Sequence, residues 1–180
     1  MNLYFRVIRV LFAALFGRRL DGMADSVVRF RVWPHDLDLN LHMNNGRYLA
    51  LMDLGRLDLM LRLGLGPAIV GGRWMPVLAS AVIRFRRSLA PFQRFALRTR
   101  VLGWDEKWIF MEHVFEVDGH IAARALVKGA FRVNRGTVPA AEVVTAAGWS
   151  PVSPEMPRYV AEWLAAEEHM SERAMAKAAA

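Results

Sequence analysis

The sequence predicts an α+β fold: an antiparallel sheet of five or more strands wrapped around a long central helix, with a further helix at each end of the chain. Three observations lead there. Residues 49–65 place Leu51, Leu54, Leu57, Leu59, Met60, Leu61 and Leu63 around nearly the whole circumference of a helix. Such a helix, too charged to span a membrane, has to be enclosed by other elements. Residues 75–133 carry four β-rich runs broken by turns, and residues 26–33 (SVVRFRVW) add a fifth ahead of the helix. Strands that follow one buried helix, joined by tight turns, give a sheet curled around it.

Residues 1–19 open the chain with no acid among them. As a helix they put Asn2, Arg6, Arg9 and Ala13 on one face, with Leu, Tyr, Phe, Val and Ile on the rest. The longest apolar run, residues 10–16, is too short for a bilayer span, and no small-x-small cleavage site follows. Two readings stay open: an amphipathic helix lying in a headgroup region, with Arg18 and Arg19 at its end, or a helix packed on the domain or a second subunit. An organelle presequence is a minor third. Residues 21–25 read as a linker. Pro34 ends the first strand, and residues 64–67 (GLGP) stop the central helix.

The four later strands are expected at 75–87, 95–104, 108–117 and 120–133, as a meander with the Asp118-Gly119 hairpin signal between the last two. Residues 134–152 read as loop. Ser153-Pro154-Glu155 reads as a helix start, with the helix running to residue 177 and its Ala/Glu-rich end fraying. The expected organisation is therefore an N-terminal amphipathic helix and linker at 1–22, the α+β domain at 23–152, and a C-terminal helix at 153–180.

Composition narrows the function. The 180 residues suit one domain with a good core. There is no Cys, which excludes disulfide and thiol chemistry and fits a reducing compartment; the expected location is cytoplasmic, with peripheral contact on the inner face of a membrane. The net charge of +7 admits nucleic acid, an anionic membrane or a phosphate-bearing ligand. The basic residues form no long block and no RNP, KH or helix-turn-helix pattern appears, so nucleic acid is set aside.

The chemistry concentrates in residues 35–48 (HDLDLNLHMNNGRY). Asp36, Asp38, Asn40, His42 and Asn44 alternate with apolar residues. On an extended segment alternate side chains share a face, so Asp38, Asn40 and His42 are expected to converge, with Leu37, Leu39, Leu41 and Met43 on the other side. Asn44 and Asn45 are N-cap types, and Gly46 lets a ligand approach the backbone. The polar cluster would then sit at the positive end of the central helix. Asp36 is expected to be a structural partner of backbone N–H groups, and Tyr48 and the helix methionines to be core. His113 and His120 read as surface or packing residues, with no carboxylate at metal-ligand spacing.

The run D-L-D-L-N-L-H-M-N-N-G-R-Y-L, with this order of elements, resembles the hotdog-fold thioesterases. It is most similar to the acyl-CoA and 4-hydroxybenzoyl-CoA thioesterase branch, and within it to the thioesterase-superfamily-member-6 group; plant acyl-ACP thioesterases carry a similar run. The resemblance covers about residues 26–135 and leaves the terminal helices outside. It implies cleavage of a thioester of CoA or acyl carrier protein without metal or redox cofactor, in a homodimer or homotetramer whose active site lies between subunits. It implies Asp38 as the catalytic carboxylate, with Asn40 and His42 matching catalytic residues of the plant enzymes. Thioester hydrolysis needs a carboxylate to attack the carbonyl or activate water, or a water held by Asn40 and His42 that Asp38 aligns. It also needs N–H donors for the oxyanion, which Asn45 and Gly46 would supply. Some relatives hold the CoA phosphates with several basic residues at the turn between the middle strands. Here that turn is Asp105-Glu106-Lys107, leaving Lys107, with Arg84, Arg86, Arg87 and Arg94 as substitutes. The rival function on the same fold is a non-catalytic acyl- or lipid-binding protein at membrane surfaces.

Overall fold

The computed structural model describes residues 2–20 and 22–178, apart from the side chains of residue 2 and of 171–178. The Asn2 side chain, Asp21 of the linker and the side chains at the end of the last helix, where fraying is expected, lie outside the described residues. The elements in order are α1 (Asn2–Phe16), β1 (Ser26–Arg31), α2 (Asn45–Arg62), the short α3 (Gly66–Val70), β2 (Met75–Phe85), β3 (Arg94–Trp104), β4 (Ile109–Val117), β5 (His120–Val133), β6 (Gly136–Val138), α4 (Ala140–Ala146) and α5 (Arg158–Ala178). All five predicted strands are present. One antiparallel sheet runs β1-β3-β4-β5-β2, with β6 added beside β5.

That order corrects the predicted meander. β3, β4 and β5 follow it, but β2 pairs with β5 rather than with its sequence neighbour β3. The cause is the link at residues 86–93. It crosses the end of the sheet instead of turning back: Arg86 and Arg87 N–H both donate to Ala122 O, and Leu89 drops into the core. The loop expected at 134–152 contains β6 and α4, whose Val143 and Val144 are buried. The helix start expected at Ser153 also moves. Ser153 Oγ instead accepts Trp104 N–H at 3.0 Å and donates to Pro154 O, so α5 begins at Arg158.

α2 is the central helix. Tyr48, Leu51, Met52 and Leu54 pack with Phe30, Phe95, Leu97, Phe115 and Val127 of the sheet. Leu59 and Leu63 continue into a second cluster with Trp74, Trp104, Ile109, Phe131 and the two valines of α4. Burial of the Tyr48 hydroxyl pushes it up to about 12. The remaining side of α2 is covered by α1, whose Val10 joins the same core. Part of the sheet's other face is covered within the chain, where Val160 of α5 packs on Leu102 and Phe110. Gly55 marks the tightest approach of α2 to the sheet, where a Cβ would stand 2.5 Å from Thr99 Oγ1 and 3.0 Å from Leu97. Gly55→Ala should therefore destabilise the fold by about 1–3 kcal/mol through overpacking, despite its better helix propensity. Urea unfolding with an unchanged or raised midpoint would contradict that packing.

Candidate active site

Residues 33–44 form a compact double turn rather than the predicted extended segment. Residues Pro34–Asp36 make one 3-10 turn. Leu37 then bridges to Met43, and the chain between them folds back: Asp38 N–H donates to His42 O and Leu41 N–H to Asp38 O. Leu41 takes a left-handed φ of 58° to close it. Asp38 Oδ1 accepts the backbone N–H of Asn40 at 2.9 Å and of His42 at 3.3 Å. This competition is the reason for the correction. Asp and Asn side chains bond to backbone a few residues on and so prefer turns to strands, whatever the alternation of Leu. Leu39 and Leu41, expected to be pinned inward, are exposed.

The turn still gathers Asp38, Asn40 and His42 at one place, through backbone contacts rather than through a shared side-chain face. Asp38 is half-buried and Asn40 and His42 are exposed. Among the described residues Asp38 Oδ2 has no hydrogen-bond partner, while Oδ1 holds the turn. α2 starts immediately after. Asn44 is its N-cap, accepting Gly46 N–H at 2.8 Å, and Asn45 is its first residue.

Asp36 fixes this turn to the body of the protein. It is 1% exposed, as its expected structural role requires. Its carboxylate accepts Trp33 N–H at 2.9 Å, pairs with Arg6 of α1 in a forked contact, and lies 3.7 Å from Arg47 of α2. Arg6 also donates to Arg31 O. Of the two readings open for α1, the structure shows the one in which it packs on the domain, and Arg6 is its inward anchor rather than part of an exposed polar stripe.

The candidate phosphate-binding residues divide. Arg84, Arg86, Arg87 and Arg94 are exposed at the end of the sheet that carries the Asp38 turn, since Met43 N–H bonds Leu89 O and Phe92 N–H bonds Val32 O there. Lys107 lies beyond the far end of β3, packed on the Trp108 ring at 4.2 Å. An eleven-residue strand spans about 36 Å, so Lys107 does not join the four arginines within one chain.

A second polar cluster lies where α2 meets the sheet, at His113. Of the two histidines expected at the surface or in packing, His120 is exposed and His113 is fully buried. Its Nε2 is 3.2 Å from Arg56 and its Nδ1 3.0 Å from Thr99 Oγ1. A guanidinium only donates, so Nε2 accepts and Nδ1 carries the proton toward Thr99. Burial, and then the Arg56 charge, holds the His113 pKa well below its ordinary 6.5. Arg56 also pairs with Asp53, and Asp58 with Arg62 and with Ser26 Oγ, the latter at 2.6 Å. Spacing along α2 alone puts Asp53 within reach of Arg56 and Asp58 within reach of Arg62; no spacing reveals the Thr99–His113–Arg56 chain, because its members lie on three separate elements. Arg56 and Asp53 form the polar edge of an otherwise apolar cavity of about 360 Å³ between α2, β2, β5 and α4, lined by Leu57, Met60, Val77 and Val144 among others.

Comparison with known proteins places this geometry. The model of the thioesterase-like superfamily matches residues 32–164. Protein THEM6 of Danio rerio is 42% identical over 110 residues, 60% of this chain and 54% of that protein; this chain thus matches about half the length of that relative. Protein THEM6 of Xenopus laevis is 34% identical over 150 residues, 81% of this chain and 70% of that protein. Among solved structures, a gentisyl-coenzyme A thioesterase superposes with a TM-score of 0.59 at 21% identity, over 67% of this chain and 97% of its own, which bears on the fold alone.

His113 generates a pH test. Its pKa is lowered in the folded state, so below pH 6.5 the unfolded chain binds a proton that the folded chain does not. Its contribution to stability is complete above 6.5 and is lost as pH falls, by up to about 1.4 kcal/mol per pH unit. Urea unfolding of the parent protein between pH 7 and 5 should show this slope, and His113→Gln should flatten it. Equal slopes for the two proteins would remove His113 as a buried neutral group.

Proposed function

The chain belongs to the thioesterase-like superfamily, and on that premise we propose that it hydrolyses an acyl thioester of CoA or acyl carrier protein to free acid and thiol. The observation that carries this reading is Asp38. One carboxylate oxygen is spent on the turn and the other has no partner among the described residues, on an accessible loop directly before the N-terminus of a buried helix. Oδ2 would attack the carbonyl, expelling the thiolate to leave a mixed anhydride that water then hydrolyses, or take a proton from a water that attacks it. In the water route the C–O bond forms, the C–S bond breaks, and the proton on Asp38 passes to the leaving thiolate. Asn40 and His42 stand on the same turn to orient that water. The Asn45 and Gly46 N–H groups at the positive end of α2 would stabilise the oxyanion, with Gly46 exchanging its cap acceptor for the substrate. The apolar cavity along α2 gives an acyl chain room, and Arg84, Arg86, Arg87 and Arg94 offer charge to the CoA phosphates.

The active form in this reading is a homodimer or homotetramer. β2 is an eleven-residue edge strand whose Met75, Leu78, Val82 and Phe85 are exposed. A long apolar edge left unpaired is an aggregation hazard, and a second copy is the natural cover. The expected place of the protein is peripheral, at the inner face of a membrane, through residues 1–19. No helix among the described residues is long and apolar enough to cross one.

Asp38→Asn tests the chemistry cleanly, because an amide oxygen can still accept the two turn N–H groups. The variant should melt as the parent does and lose about 100-fold or more in turnover of acyl-CoA or acyl carrier protein thioesters, followed by thiol release. Near-normal turnover would remove Asp38 from the mechanism. A parent protein that binds acyl-CoA without releasing thiol would instead favour the acyl-binding alternative.

The edge strand gives a second test. Light scattering at low micromolar concentration should find a dimer or tetramer, and Leu78→Lys with Val82→Lys should shift it to monomer. A parent protein that is monomeric and active there would refute the assembly.

A further inference from the structure

α1 sits on the domain through a mixed face, with Val7, Val10, Leu11 and Ala14 beside the buried Arg6. Arg6 forks onto the buried Asp36, Arg9 donates to Arg29 O, and Val10 and Ala14 are buried against the fold. The helix therefore turns Tyr4, Phe5, Ile8, Phe12, Leu15 and Phe16 outward. Phe16 is 83% exposed, and Phe12 and Phe16 stack on each other in the open. Single exposed apolar residues need no explanation, but six large ones on one face of a fifteen-residue helix mark a surface that contacts something apolar.

Beside this face runs a groove between α1 and the β1–β3 edge of the sheet. Arg9, Arg29, Arg31 and Arg94 line it, with the half-exposed Trp33 at one side; its carboxylates are Glu116, which pairs with Arg98, and Asp118 of the hairpin. α1 itself has no acid, and Arg18 and Arg19 follow its end. Aromatic and aliphatic side chains ringed by arginine, with a tryptophan at the margin, match the boundary between acyl chains and anionic headgroups. A second copy of the chain fits less well. A two-fold contact through this face would bring the same arginines together, and like charges opposed across an interface are unfavourable.

We propose that the outer face of α1, together with the arginine groove beside it, is a docking surface for a bilayer of anionic lipid. The apolar side chains of α1 enter the headgroup region and the groove arginines engage lipid phosphates. Arg6, which a sequence reading would assign to the lipid, holds the helix to the domain instead. Because Arg6 grips Asp36, two residues from Asp38, docking also sets the distance of the Asp38 turn from the bilayer. The surface itself is independent of the thioester reading, and its test uses no thioester.

The test is co-sedimentation of the full chain with vesicles of equal phosphatidylglycerol and phosphatidylcholine, against vesicles of phosphatidylcholine alone. The parent protein should bind the mixed vesicles, bind the neutral ones far more weakly, and bind less well as salt rises. Phe12→Ser with Phe16→Ser, and separately Arg29→Glu with Arg31→Glu, should each weaken binding by about tenfold or more. Thermal melting and light scattering should show both variants folded and of parental size. A parent protein that stays in the supernatant with both vesicles overturns the proposal, as does equal binding to neutral and anionic vesicles or variants that bind like the parent. If the Phe12/Phe16 variant falls to a smaller assembly, the face is an interface between copies and the proposal fails. If either variant does not fold, Phe12→Ala alone and Arg29→Gln alone replace it, judged by the same criteria.

Discussion

An eighteen-residue helix with apolar side chains on almost every side cannot rest on a single surface, and most of this structure follows from having to enclose α2. A sheet covers one side of a helix and leaves the other wet. Here the curled sheet takes one side, α1 lies across another, and α3 and α4 close the C-terminal end. Each fully buried Leu, Met or Tyr contributes about 1.5–3 kcal/mol, so leaving one side of α2 open would forfeit a large share of a domain's net stability. Enclosure in turn dictates the fate of the few charges on the helix. Arg56 and Asp58 are drawn under cover and need partners there, since an unpaired buried charge is the costlier outcome. Asp53 and Arg62 pair with them along α2, and His113 and Ser26 bond them from the sheet. The buried polar chain is thus a consequence of the packing rather than a separate feature of the site.

The same constraint shapes the candidate site. α2 must begin at a fixed point under the end of the sheet, and the segment before it has only residues 32–44 in which to leave β1 and enter the helix. Leu89 from the β2–β3 link and Met43 plug that end, tied by the Met43 N–H to Leu89 O bond. What remains outside is the 38–42 turn. It is held at its base by the Leu37–Met43 bridge and internally by Asp38 Oδ1. A carboxylate placed this way is rigid through one oxygen and available through the other, a useful arrangement for a group that must meet a reacting carbonyl.

The sequence announced the elements better than their neighbours. The apolar circumference of residues 49–65 and the period-two runs after residue 75 are local signals, and local signals place helices and strands. Strand order is not local. β2 lies beside β5 because residues 86–93 cross the sheet end, and no two-residue turn signal was present there to argue for or against it. At the site the alternation of Asp, Leu and Asn imitated a strand so well that the turn-forming habit of those same polar residues was outweighed. The residues were identified and their backbone was not. Asp36 was read as structural from its type, but its partner Arg6, thirty residues away, could not be. His113 was read as packing or surface because a chain of contacts through β3, β4 and α2 leaves no spacing to find.

Arg6 also decides what α1 presents to the outside, and the reason is angular. A buried ion pair is a weak source of stability, since desolvation offsets most of its attraction, but its fork geometry is specific. By gripping Asp36 and reaching Arg31 O, Arg6 fixes the rotation of α1 about its own axis. Successive residues of a helix are separated by about 100°. Measured from Arg6, Val10 and Ala14 fall at about 40° and 80°, on the domain side where both are buried. Tyr4, Leu15, Ile8, Phe12, Phe5 and Phe16 fall between about 160° and 280°, and all six are exposed. One buried contact thus sets which apolar residues of α1 pack on the domain, Val7, Val10 and Leu11 among them, and which six face outward.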